Sequence, residues 1–146
     1  MKTLRLPLKR KWFEMTALGI KTEDYREITP YWCSNLLMWN GEKQSREWWE
    51  NMFFKGYEGN YGVMVKRFFK KSPFIYYSDL YINAITQREF ETNKMTLGYP
   101  KATDNSRILN FEHKGIEIRT GNSEWGAEPG EIYFVIKHGK LLIDND

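Results

Sequence analysis

The chain has 146 residues, of which 41% are hydrophobic and 16% aromatic, and a formal net charge of +3. That length suits one domain whose core needs no covalent staples, and the apolar share and interspersed charges exclude wholesale disorder. The lone cysteine, Cys33, excludes an intramolecular disulfide. With no long apolar run, the expectation is a cytoplasmic protein without a membrane span.

The elements read as follows along the chain. Thr3 to Leu8 places Leu4, Leu6 and Leu8 on one face of a strand. Lys9 to Leu18 turns helical, with Trp12, Met15 and Leu18 sharing a face beside Phe13 and Ala17, and Gly19 stands where a helix would stop. Lys21 to Ile28 reads as extended up to Pro30. Residues 38–71 read as a helical insertion: Ser45 caps a first helix carrying Trp48, Trp49, Met52 and Phe53, and Gly56 stops it. A glycine-rich loop, 56–62, leads into a second helix through Val63, Val65 and Phe68. Beyond Pro73 the character becomes β, with strands expected over Phe74–Ile85, Met95–Tyr99, Arg107–Arg119, Ile132–Lys137 and Lys140–Ile143, and a hairpin turn at His138-Gly139. Many short strands with an early helix predict an α+β fold, a small barrel decorated by helices.

Charge is unevenly spread. Residues 1–71 hold 14 Lys and Arg against 8 Asp and Glu, and residues 72–146 hold 8 against 11. A basic half can steer phosphates, although an ordinary solvated surface gives the same pattern. The same two readings apply to Lys66-Arg67 with Lys70-Lys71. There is no phosphate-binding glycine loop, no nucleophile elbow and no paired cysteine motif. The two histidines, His113 and His138, read as surface residues, and with one cysteine they make no structural zinc site, so neither a metal nor a cofactor is expected.

The densest segment is Gly19-Ile20-Lys21-Thr22-Glu23-Asp24-Tyr25-Arg26. Lys21 and Arg26 are candidate donors to a phosphate or base edge, with Thr22 as a hydroxyl donor. An exposed edge strand with paired charges is the alternative. Strict alternation puts Lys21 and Arg26 on opposite faces, so both reach one ligand only if a bulge or strand end intervenes. Trp48, Trp49, Met52 and Phe53 read as core. Trp32 and Trp125 read either as stacking surfaces for a base or as plugs of the barrel.

Gly-x-Lys-Thr-x-x-x-Arg after an amphipathic helix resembles the signature of ASCH domains, members of the PUA-like superfamily. The string from Lys21 to Trp32 resembles a subgroup from phages and gut bacteria, as do Glu124 to Gly130, Tyr133 to Ile136 and the Leu97–Lys101 turn. The resemblance implies one ASCH domain over residues 1–146: a PUA-like small β-barrel with an N-terminal helix, the 38–71 insertion, and a cleft onto which Lys21, Thr22 and Arg26 face. It implies an RNA-binding or nucleotide- or nucleoside-binding domain. The alternatives are a hydrolase of a modified nucleoside such as acetylated cytidine, a ribonuclease, or a protein-interaction module. As an enzyme it would use Lys21 as base or nucleophile and Glu128 as proton partner, with Thr22, Asp24, Tyr25, Arg26, Trp32 and Trp125 around the ligand. Asp24 departs from the pattern, because the amidohydrolase members carry their catalytic threonine at that position.

Overall fold

A computed structural model of the protein describes residues 2–70 and 84–142. The fold is α+β. Strand β1 (Thr3–Leu8) leads through helix α1 (Arg10–Ala17) to β2 (Glu23–Arg26) and α2 (Pro30–Leu36). A second group follows: β3 (Leu37–Trp39), β4 (Glu42–Lys43), α3 (Arg46–Trp49), α4 (Tyr61–Phe68) and β5 (Phe69–Lys70). The chain closes with β6 (Ile85–Gln87), β7 (Thr92–Leu97), β8 (Ile108–Thr120) and β9 (Ile132–Leu141). Most of the strand expected over Phe74–Ile85 lies outside the described residues, as do Lys71 and Ile143.

The main sheet runs β1-β7-β8-β9-β2, antiparallel except for the parallel pair β1 and β7. Among the described residues it does not close into the expected barrel, because β1 and β2 remain its two edges. Pro7 explains part of this, since a proline in β1 has no N–H to give a further ladder. A side chain spans the seam instead: Arg26 on β2 donates to the Pro7 carbonyl at 2.8 Å.

The 38–71 segment is not wholly helical. Its strands pair with β6 in a second sheet, β4-β3-β6-β5. Asn40 and Gly41, at φ 49° and 84°, form the tight turn joining β3 and β4. An Asn-Gly pair adopts this left-handed geometry at low cost. Ser45 and Asn60 cap α3 and α4, accepting from the Trp48 and Val63 amides. After α3 the chain widens into a π turn, Glu50–Phe54, closed by Lys55 N–H to the Glu50 carbonyl. That i+5 spacing breaks the α-helical stripe. Trp49 and Phe54 are buried, while Met52, expected in the core, is 62% exposed. On α1 the buried face is Phe13 and Thr16, and Leu18 lies past the last turn in solvent.

The hairpin expected at His138-Gly139 is absent, because β9 continues straight through it. Gly139 serves close approach instead: a Cβ there would lie 2.6 Å from Lys114 Cε on β8. The β8–β9 register shifts on both sides of His113, and Gly115 takes φ 108° at the bulge. One apolar cluster, including Leu6, Leu36, Trp49, Val65, Phe134 and Ile136, joins both sheets.

Candidate functional site

Helix α1 ends in a hydrogen-bonded reversal that aims Lys21. Gly19, at φ 76°, donates to the Thr16 carbonyl at 3.1 Å, and Ile20 donates to the Met15 carbonyl at 3.0 Å. This pair of bonds is the Schellman C-cap, which favours glycine at the left-handed position. Lys21 and Thr22 therefore precede β2, and strict alternation does not govern them. Lys21 turns into the protein, with only 2% of its side chain exposed.

Its ammonium donates to the Glu23 carbonyl and lies 3.4 Å from the Asp24 carboxylate. The other Asp24 oxygen accepts from Arg26 Nε at 2.6 Å. Arg26 also bonds the Pro7 carbonyl and stacks over Trp32, 5.0 Å from the ring centre. Two cations thus share one carboxylate, which leaves a buried cluster one positive charge in excess. Burial lowers the Lys21 pKa, against the opposing pull of Asp24.

The alternate residues of β2 build a separate network. Tyr25 donates to the Glu23 carboxylate at 2.7 Å, and Arg119 on β8 grips Glu23 through two nitrogens at 2.9 and 3.1 Å. Burial works against the charged Glu23, but the Arg119 and Tyr25 hydrogen bonds outweigh it and hold its pKa low. Burial pushes the Tyr25 hydroxyl up to about 12. Tyr25 also accepts from the Asn122 amide, fixing the loop before the turn Ser123–Trp125. Glu23, Tyr25 and Arg119 are structural ties.

Lys21 and Thr22 line a cavity of about 390 Å³ with Thr16, Leu18, Phe111 and His138. Arg26 does not line it; it is occupied by Asp24, Pro7 and Trp32. Trp32 is half-buried with its face covered by Arg26, and Trp125, also half-buried, does not line the cavity either. Glu128, expected as the proton partner of Lys21, is exposed and lines a different cavity of about 540 Å³, with Glu27, Glu131 and Tyr133.

The histidines are not surface residues. Both are partly buried, and they are joined through Asn93, which is fully buried. His113 Nδ1 lies 2.7 Å from Asn93 Oδ1, and Asn93 Nδ2 lies 2.8 Å from His138 Nδ1. Burial lowers each imidazole to about 4, so both are neutral near pH 7; for His138, Asp24 opposes the shift and Lys21 adds to it. Sequence reasoning missed this string because its members lie on three strands and share no local motif. Asn93 itself stands before Met95, where the strand was expected to begin, so no local pattern signalled its burial on β7.

The cavity therefore presents a cation, a hydroxyl and an imidazole beside apolar walls, and can hold a polar acceptor on an apolar or planar body. Among the described residues, no carboxylate lines it. The chain matches no family model, and no matching curated protein or solved structure was found.

Proposed function

We propose that the chain is an ASCH-like, PUA-like domain that binds RNA or a nucleotide, taking a base or phosphate oxygen at the Lys21 cavity. The observation that carries this reading is the desolvated Lys21 ammonium beside a cavity, in a cluster whose two cations share a single carboxylate. A buried excess of positive charge favours an anionic or strongly polar acceptor. Phe111 supplies an apolar wall for a base. The resemblance of the Gly19–Arg26 segment to ASCH domains points the same way.

Binding is favoured over hydrolysis by the position of Glu128, which lines another cavity and offers Lys21 no proton partner. The test is fluorescence anisotropy with labelled single-stranded RNA across a salt series. Affinity is expected to fall as salt rises, because phosphate contacts release counterions. Binding absent at low salt would reject the reading. In parallel, acetylated cytidine and RNA are incubated with the protein, and free cytidine and strand cleavage are followed; no turnover is expected. Turnover abolished by Lys21→Ala would move the reading to the hydrolase.

A further inference from the structure

The orientation of Asn93 fixes the proton positions of two histidines, and with them the polarity of the cavity. Asn93 Nδ2 lies 3.1 Å from the Lys137 carbonyl, which can only accept. The atom facing it is therefore the amide nitrogen, and an amide flip would set two acceptors against each other. The same nitrogen faces His138 Nδ1 at 2.8 Å, so that ring nitrogen carries the lone pair and the His138 proton sits on Nε2. On the other side Asn93 Oδ1 accepts from His113 Nδ1, so the His113 lone pair sits on its Nε2.

Both Nε2 atoms are buried without a hydrogen-bond partner among the described residues. A buried donor left unmatched costs about 1–3 kcal/mol, so a partner for it in a bound state adds directly to affinity. His138 lines the cavity shared with Lys21, and Lys21 has two hydrogen-bond acceptors, the Glu23 carbonyl and Asp24, for its three N–H groups, with the Tyr25 ring centre 5.4 Å from its nitrogen.

We propose that His138 is a specificity-determining residue of this cavity: a bound group displaces the side chains that close off Nε2 in this structure, and Nε2–H, beside a Lys21 N–H, donates to its carbonyl oxygen. This rests on the base-binding reading and narrows it to bases that carry a ring carbonyl, such as uracil, over adenine, which has none. Asn93 is the positioning residue, holding His138 in the donor tautomer. The apolar walls Leu18, Phe111 and Leu141 suit a planar ring and give adenine no compensating polar contact.

Two measurements test this. Nitrogen-15 NMR of the histidine rings in the unliganded wild-type protein reads the tautomers directly. The expected result is His138 protonated on Nε2 and His113 on Nδ1; the opposite assignment overturns the proposal whatever binds. Titration with uridine- and adenosine-homopolymer oligonucleotides of equal length, for wild type and His138→Phe, reads the consequence. The wild type is expected to prefer the uridine oligomer by about 5–10-fold, the worth of one hydrogen bond, and His138→Phe to erase that preference by weakening binding of the uridine oligomer. Equal affinity of the wild type for both oligomers overturns the carbonyl assignment and leaves the RNA-binding reading standing. Binding of neither removes both.

Discussion

His113 and His138 make a strong demand on their surroundings, because each ring is held neutral by burial at the same end of the main sheet. Their folded values of about 4 lie below the unfolded value of 6.5. Between those limits the unfolded chain binds protons that the folded protein does not, so stability rises with pH across the window and is lost on acidification. Glu23 acts in the same direction, but at or below its usual 4.5. From about pH 6.2 down to 4.8, unfolding free energies from urea titrations are therefore expected to fall with a slope of about 2 kcal/mol per pH unit, approaching two protons and reduced by the partial solvent contact of the rings. His113→Phe lowers stability at every pH by leaving Asn93 Oδ1 unpaired, and it should halve the slope. An undiminished slope in that variant would assign the proton uptake elsewhere. Burial lowers the Lys21 pKa as well, against the opposing pull of Asp24.

At the scale of the elements, α4 docks on β9 through a glycine, and two opposed effects meet there. A Cβ on Gly62 would stand 2.8 Å from Ile132 Cβ and 2.9 Å from its Cγ2. Alanine improves helix propensity by about 1 kcal/mol, whereas forcing a methyl into a packed contact costs about 1–3 kcal/mol. The contact should win: Gly62→Ala is expected to lower the melting temperature by about 3 °C, while Val63→Ala, exposed on the same helix, should leave it level or raise it slightly. Equal rises for both would mean that the helix does not sit against Ile132. Such contacts mark where the sequence was legible and where it was not. Strand β1 was readable to the residue because Leu4, Leu6 and Leu8 alternate without interruption, and Gly19, Ser45 and Gly56 punctuate helices as their chemistry requires. Asn40-Gly41 carried a hairpin signal that was lost among helical patterns. The π turn and the straight run of β9 through Gly139 had no local sign, since the first depends on how Trp49 and Phe54 pack and the second on Lys114 and Glu112 across the sheet. In the candidate site, Lys21 and Thr22 were singled out by their motif, and both line the cavity. The roles of Asp24 and Arg26 depended on Pro7 and Trp32, and the Asn93 string on register between strands far apart in sequence.

For the whole molecule, the surplus of positive charge in the first half matters only if it stands near the cavity. Lys9, Arg10 and Lys11 are exposed at the start of α1, and the cavity opens at its other end, beside Ala17 and Leu18. At 1.5 Å per residue the separation along the helix is about 12 Å, so a strand with a base in the cavity carries its backbone past this run. Of the three, Arg10 alone has a carboxylate neighbour among the described residues, Glu14 at 3.6 Å, and both ends of that pair are too exposed to hold the arginine from a phosphate. For single strands each phosphate contact contributes about 0.7 to the slope of log affinity against log salt. If the cavity reads the base as proposed, replacing Lys9, Arg10 and Lys11 together with alanine is expected to weaken RNA binding at low salt, flatten that slope by about 2, and leave the preference among bases unchanged. Removing Lys43 and Lys55, which are exposed on the segment that carries the second sheet, provides a loss of two charges elsewhere for comparison per residue. If that pair flattens the slope as much per residue as the α1 triple, the attraction is diffuse and no strand follows α1. If the triple instead erases base preference with the slope intact, the basic run reads bases and the division of labour between helix and cavity is wrong.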